Sequence, residues 1–143
     1  MRPRFWELPL SQLTGEEWEA LCDGCGRCCL HKVEEETTGA FLPTNVACRL
    51  LDRHSCRCSS YKQRKRFVPD CLRLTPEKLP NIGWLPESCA YVRRQAGEPL
   101  PAWHYLLTGD REAVHAAGES ARGWTVSEDQ AGDYLDHLVD RPL

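Results

Sequence analysis

Four cysteines within eight positions constrain this chain more than any other feature. Residues 22–29 read CDGCGRCC, and five further cysteines follow between residues 48 and 89. The first twenty residues lack the apolar run of a secretory signal, which predicts a cytoplasmic protein with reduced thiols. In a reducing compartment, nine cysteines in 143 residues are more typical of metal ligands than of a disulfide framework.

The spacing of the first three cysteines is typical of metal sites. Cys22, Cys25 and Cys28 form C-x2-C-x2-C, in which a tight turn directs thiolates at one centre. Gly24 and Gly26 permit the positive φ angles that such turns use, and the loop amides are free to hydrogen-bond the sulfurs. Thiolates bind zinc and iron–sulfur clusters alike, so both stay open.

The fourth cysteine of the cluster departs from the ferredoxin pattern. On a helix, Cys28 lies about 100° from Cys29, and on a strand the two point to opposite sides. We therefore expect Cys28 and Cys29 not to be equivalent ligands of one mononuclear ion. Two metal sites, one larger cluster, or one ligand beside a spare thiol all satisfy this expectation.

The remaining thiols come singly or as C-x-C, so they must converge through folding, and metal binding is expected to be coupled to folding. Cys56 is a further candidate, either as a ligand or as a buried small hydrophobe. His31 is the best placed of the five histidines for a mixed site. The predicted metal ligands are Cys22, Cys25, Cys28, Cys29, Cys48, Cys58, Cys71 and Cys89.

The whole chain, residues 1–143, predicts one small irregular α+β domain, with short helices and strands organised around a cysteine-ligated metal. Thr14 and Glu17 form a capping box, which predicts a short helix with Cys22 on its last turn. Short strands are expected between residues 33 and 51, broken at Gly39 and Pro43.

Three later segments carry further expectations. Residues 79–107 are rich in Pro and Gly and are expected to wrap the surface. Asp110 and Gly118 bracket a short helix. Ser127 begins the clearest late helix, because apolar residues recur with helical period. Its predicted apolar face consists of Ala131, Tyr134, Leu135, Leu138 and Val139.

Together the motifs LCDGCGRCC, ACRLLD, CSSYKQR and PDC resemble the bacterial CxxCxxCC cysteine-cluster family, described as zinc- or iron-chelating. The YcgN-type branch is the most similar, and there the likeness extends over nearly the whole chain. The resemblance implies metal or iron–sulfur binding and leaves the biological role open. The Arg-to-Pro spacing is longer than in the common family pattern. The positions that match the pattern downstream of the cluster are Cys58, Tyr61, Arg64, Pro69 and Cys71.

The function predicted from these observations is metal binding, with zinc or iron as an iron–sulfur cluster. Whether the protein is an enzyme stays open, since a redox or protein-modifying enzyme would need an open ligand position or an exposed low-pKa thiol. A zinc-stabilised nucleic-acid module would use the KQRKR stretch at residues 62–66. The net charge of −3 favours an exposed loop there instead. We expect a protein partner, no nucleic acid and no membrane.

Overall fold

The computed structural model describes residues 1–69 and 71–143 as short helices and strands joined by turns, which confirms the α+β expectation. The helices are α1 Gly15–Ala20, α2 Arg64–Phe67, α3 Ala90–Gln95, α4 Tyr105–Thr108, α5 Ala113–Ala116 and α6 Glu128–Ala131. The strands are β1 Leu30–Glu34, β2 Phe41–Ala47, β3 Leu51–Asp52, β4 Arg57–Cys58 and β5 Val126–Ser127. Single 3-10 turns cover Phe5–Glu7, Leu10–Gln12, Arg27–Cys29, Tyr61–Gln63, Leu79–Asn81 and Tyr134–His137.

The capping box predicted at the start of α1 is confirmed. Thr14 Oγ1 accepts the Glu17 amide at 3.2 Å, and the Glu17 carboxylate accepts the Thr14 amide at 2.9 Å. The helix ends two residues before Cys22, because Ala20 is its last residue and Leu21 is the C-cap. Cys22 therefore lies just beyond the helix rather than on its last turn.

The predicted strands form a small mixed sheet with the order β1-β2-β5. β1 and β2 are antiparallel, with Leu30 opposite Ala47 and a register shift before Lys32. Pro43 does not break β2 as expected. It lies within the strand, opposite Lys32 at the irregularity, where the ladder tolerates a missing donor. β3 and β4 form a separate two-stranded hairpin around the turn at residues 53–56.

Residues 79–107 do not wrap the surface as predicted. They contain α3 and supply five of the eight buried residues of the main apolar core. The hydroxyl of Tyr91 donates to the Trp18 carbonyl at 2.6 Å, and the two rings pack with centroids 4.5 Å apart. Pro and Gly here mark tight connections between buried residues. The core cluster consists of Phe5, Trp18, Leu21, Leu79, Leu85, Ala90, Tyr91 and Leu100.

The short helix predicted before Gly118 is confirmed as α5, but the long late helix is wrong. Gly132, with φ 72° and ψ −129°, ends α6 after four residues, and a 3-10 turn follows at Tyr134–His137. The predicted apolar face is therefore not buried as one stripe, and Leu135 and Leu138 are exposed. His137 is part-buried, with its ring nitrogens next to the Asn45 side chain and the Ala131 carbonyl.

Candidate metal centre

The loop between α1 and β1 carries the first four cysteines. Gly24 and Gly26 adopt φ angles of 79° and 74°, as the spacing predicted. In each C-x2 turn, a backbone amide donates a hydrogen bond to the sulfur of the preceding cysteine. Gly24 N–H donates to Cys22 Sγ and Arg27 N–H donates to Cys25 Sγ, both at 3.4 Å. Such hydrogen bonds are those that stabilise thiolates at metal sites.

Cys28 and Cys29 lie in neither an α-helix nor a strand, the two geometries from which their divergence was predicted. Residues 27–29 form a 3-10 turn, and the thiol of Cys29 donates a hydrogen bond to the Cys28 sulfur. This bond is the main reason that the pKa of Cys28 is lowered to about 7 and the pKa of Cys29 is raised. The adjacent pair is therefore inequivalent in its proton affinity, while its two sulfurs are close to each other.

Backbone pairing brings the downstream cysteines to this loop. The amide of Cys48 donates to the carbonyl of Cys29 at 2.9 Å, and the amide of Leu51 donates to the carbonyl of Cys48 at 2.9 Å. Leu51 in turn pairs with Cys58 across the β3–β4 hairpin. A continuous path of strand and turn contacts thus leads from Cys29 to Cys58.

The pKa values of Cys71 and Cys89 respond to cysteines in the other half of the set. Burial first, and then the negative charges of Cys58, Cys48 and Cys28, raise the pKa of Cys71. Burial and then the charge of Cys28 raise the pKa of Cys89 to about 11. Burial and the neighbouring cysteines thus both disfavour the thiolate form of Cys71 and Cys89.

Cys22 belongs to the same region. Although the residue is exposed, the protein atoms packed around its thiol raise its pKa to about 12, and the charges of Cys28 and Cys89 contribute to the rise. Cys25 is buried, and burial followed by repulsion from Asp23 and Cys28 raises its pKa well above the ordinary value. The first and last cysteines of the predicted set are thus neighbours.

A coordination sphere is not closed by these side chains. All nine cysteines are free thiols. Within residues 1–69 and 71–143, no group of three Cys, His, Asp or Glu side chains stands where it could hold a metal ion. The donor chemistry nevertheless fits a thiolate-bound metal: soft sulfur ligands, amides directed at two of the sulfurs, and a cation beside them.

That cation is Lys32, which sequence reasoning missed. Its ammonium group donates to the carbonyls of Arg27 at 2.8 Å and Leu30 at 2.6 Å, and it lies 5.2 Å from the centre of the Trp84 ring. Burial lowers the pKa of Lys32, and the charges of the Cys28 and Cys29 thiolates oppose that lowering. A lysine three residues past the last clustered cysteine was the available signal.

Arg27 was also missed, although it lies inside the cluster itself. Its side chain is 7% exposed and pairs with Glu119 at 3.2 Å. The guanidinium also donates to Ser88 Oγ at 3.1 Å, next to Cys89, and to the carbonyls of Pro142 and Leu143. One buried arginine therefore ties the cysteine loop to the segment that carries Cys89.

Cys56 stands apart from the other eight cysteines. It is 3% exposed and packs in a second apolar cluster with Leu30, Ala47, Leu51 and Ala121. Burial raises the pKa of its thiol, and its polar neighbours are Ser120, Arg122 and Asp52 rather than other cysteines.

Its backbone has the left-handed φ of 62° and lies directly against Gly26. A methyl group at position 26 would stand 2.9 Å from both Cβ and the carbonyl oxygen of Cys56. The structure thus supports the interpretation that Cys56 is a small buried hydrophobic residue, which positions the loop.

His31 is directed away from the thiols. Its Nε2 lies 2.7 Å from Glu128 Oε2, and its ring packs on Tyr134 with centroids 4.9 Å apart. The KQRKR stretch occupies an exposed 3-10 turn and α2, and Tyr61 and Phe67 beside it are also exposed. Asp70, between this stretch and Cys71, lies outside the described residues.

Comparison with known proteins places this arrangement in a family. The CxxCxxCC family model, whose description reads "Putative zinc- or iron-chelating domain", matches residues 21–90. A UPF0260 protein of Rhizorhabdus wittichii is 61% identical over 140 residues, which cover 97% of this chain and 96% of the relative. The chain belongs to the UPF0260 family.

Other UPF0260 relatives match over the same extent. The Rhodobacter capsulatus protein is 56% identical over 98% of this chain and 96% of its own length. The Gluconacetobacter diazotrophicus protein is 55% identical over 98% of this chain and 88% of its own. No solved structure matches the chain. Across the described residues, no helix has the length and apolar character needed to cross a membrane.

Proposed function

We propose that this UPF0260 protein binds zinc or an iron–sulfur cluster through thiolates drawn from both halves of its cysteine set. The observation that carries the proposal is the backbone pairing that joins the loop at Cys29 to Cys48 and the hairpin of Cys58, while Cys56 packs apart in an apolar cluster. The proposed ligand set is Cys22, Cys25, Cys28, Cys29, Cys48, Cys58, Cys71 and Cys89.

Particular groups of the chain prepare the thiolates. The amides of Gly24 and Arg27 hold the sulfurs of Cys22 and Cys25 by hydrogen bonds. Lys32 supplies a positive charge next to Cys28 and Cys29. Zinc would supply a structural crosslink, and an iron–sulfur cluster would add one-electron redox chemistry. The amides and Lys32 serve thiolate ligands in either case.

The distribution of the ligands along the chain makes metal binding part of folding. Cys29 and Cys89 are 60 residues apart in the sequence, and ordering that length of chain costs conformational entropy that bound metal offsets. The proposal includes a cytoplasmic location, where the nine free thiols stay reduced. It also includes a protein partner, supported by the exposed Tyr61, Phe67 and Leu72 near Cys71.

Metal analysis of protein purified without oxygen tests the proposal. Stoichiometric zinc with a featureless visible spectrum identifies a zinc protein. Iron and inorganic sulfide in equal amounts, with a broad visible absorption band, identify an iron–sulfur protein. Native protein that carries no metal, with all nine thiols titratable, contradicts the proposal.

A second candidate function is a thiol-dependent or iron–sulfur enzyme, and one observation favours it. Cys28 is exposed and its pKa is lowered to about 7, which are the two properties of a reactive thiol. In metal-loaded protein, this enzyme would show rapid alkylation of Cys28 while the other thiols stay protected. Uniform protection of all eight thiols rules the enzyme out and leaves the metal-binding proposal in place.

A further inference from the structure

An open polar cleft of about 170 Å³ lies beside the Asp23–Gly24 segment of the cysteine loop. Two chain segments face each other across it: the turn between β3 and β4, and the residues around α5. The cleft is separate from the proposed ligand set, and none of the nine cysteines lines it. Its lining consists of Asp23, Gly24, His54, Ser55, Arg57, Arg111, Glu112, His115 and Arg122.

Positive charge predominates in this cleft. Arg122 is neutralised by Glu112, with Nη1 2.7 Å from Oε2, and its Nε donates to the carbonyl of His54. Within residues 1–69 and 71–143, Arg57 and Arg111 form no ion pair with an acidic side chain. Three arginines thus line the cleft with two carboxylates, which leaves an excess of positive charge.

One of the two unpaired arginines, Arg111, stacks on an aromatic ring. The guanidinium carbon of Arg111 lies 3.5 Å from the centre of the Tyr105 ring. Burial raises the pKa of Tyr105, and the charges of Arg111 and Arg57 oppose that rise. Stacking restricts the plane of a guanidinium, whose N–H groups form a fork that matches the oxygens of an anion.

The carboxylate of Asp23 is engaged in hydrogen bonds with other groups, so it is less available to pair with the arginines of the cleft. Asp23 is 7% exposed, and its two oxygens accept the Cys25 amide at 3.0 Å and the Trp103 ring N–H at 3.4 Å.

His115 also lines the cleft, and its Nδ1 lies 2.7 Å from Ser120 Oγ. Burial and then the charge of Arg122 lower the pKa of His115, as expected in a positive environment.

We propose that this cleft binds a small multiply charged anion that carries phosphate or carboxylate oxygens. Arginine forks match both groups in a bidentate geometry. The volume is below the ~300 Å³ at which pockets for drug-sized ligands begin, which restricts the ligand to a compact anion. Because Asp23 and Gly24 separate Cys22 from Cys25, the anion lies against the loop of the proposed metal centre. The inference itself does not depend on metal binding.

The test is a titration of the purified full-length protein with inorganic phosphate, and in parallel with malonate, followed by NMR of the His54 and His115 ring signals. Sodium chloride at matched ionic strength is the reference. We expect saturable shifts of both histidines that chloride does not reproduce. Saturation by phosphate alone assigns phosphate compounds, by malonate alone carboxylates, and by both the shared class.

Two substitutions sharpen the test. Arg111→Gln is expected to weaken the affinity roughly tenfold or more, because it removes a charged donor from the site. Arg66→Gln, at an exposed arginine on α2, removes the same charge elsewhere and is expected to leave the affinity unchanged. Metal content and amide dispersion are measured for both variants, so that loss of the fold or of metal is recognised separately.

Three results would overturn the inference. The first is shifts that equal those produced by chloride. The second is an affinity that Arg111→Gln leaves unchanged in a folded protein. The third is equal weakening by Arg66→Gln, which would indicate attraction to the overall charge rather than to a site. None of these results bears on whether the cysteines bind metal.

Discussion

The amide of Cys48 donates a 2.9 Å hydrogen bond to the carbonyl oxygen of Cys29, and this bond joins the two halves of the cysteine set. It follows directly from the pairing of β1 with β2, in which Leu30 lies opposite Ala47. The neighbouring residues, Cys29 and Cys48, are thereby delivered to the same end of the strand pair. The proposed centre is thus assembled by sheet formation and not by the CDGCGRCC loop alone.

Substitution of single cysteines separates ligands from packing residues. We expect Cys29→Ala and Cys48→Ala each to lose most of the bound metal, because each removes a thiolate. Cys56→Ala is expected to keep the full load and to destabilise the fold by about 1 kcal/mol through lost apolar contact. The metal-to-protein ratio, with chemical unfolding of each variant, measures both effects. Equal metal loss in all three would contradict the separate position of Cys56.

Two glycines of the loop provide a matched pair. Both have positive φ, so an alanine costs about 1 kcal/mol at either position. At position 26 the new methyl group also stands 2.9 Å from Cys56 Cβ and its carbonyl, whereas at position 24 nothing lies within 4 Å. Gly26→Ala is expected to be the more destabilising by at least about 1 kcal/mol, as overpacking in a core is. Equal unfolding midpoints for the two variants would refute the close contact.

The charge of Lys32 is expected to control the reactivity of Cys28. After the hydrogen bond from Cys29, the Lys32 ammonium is a cause of the lowered pKa of Cys28, which is about 7. Removing a positive charge disfavours the thiolate, so Lys32→Met should move the alkylation midpoint of Cys28 in metal-free protein to higher pH. Lys32→Arg keeps the charge and serves as the control. A midpoint that is the same in Lys32→Met and the parent protein would exclude the lysine from this role.

Glu17 is expected to make stability depend on acid pH. Hydrogen bonds from Arg2, at 2.6 Å and 3.1 Å, and from the Thr14 amide hold the pKa of Glu17 well below its ordinary value of 4.5. Since the folded pKa is the lower one, the unfolded chain binds the extra proton. The contribution is therefore fully present above pH 4.5 and is lost as the pH falls towards the folded pKa.

Glu17→Gln should lower stability near neutral pH and flatten its decline below pH 4.5. Glu16→Gln, an exposed glutamate in the same helical turn, is the control and should change the pH profile little. Denaturant unfolding measured at several pH values from neutral to acid would check this. Parallel profiles for the parent protein and Glu17→Gln would show that the carboxylate has no linked proton.

The structural features that the sequence predicted correctly are those that depend on interactions between nearby residues. The capping box at Thr14 and Glu17 and the positive φ of Gly24 and Gly26 followed from residue types a few positions apart. The prediction of a long late helix was wrong, also for a local reason. Gly132 interrupts the apolar period, and a glycine costs helix stability that exposed Leu135 and Leu138 do not return through burial.

Sequence by itself determined the chemistry available to this protein: nine thiols, the tight loop, and an α+β chain with short elements. Only the tertiary structure decided how that chemistry is arranged. Cys56 packs in the apolar cluster beside Gly26, and Lys32 and Arg27 are the cations that hold the cysteine loop. Arg57 and Arg111 line the same cleft. These outcomes depend on contacts between residues tens of positions apart, whose energies are set by burial and charge in the folded chain and leave no periodic trace in the sequence.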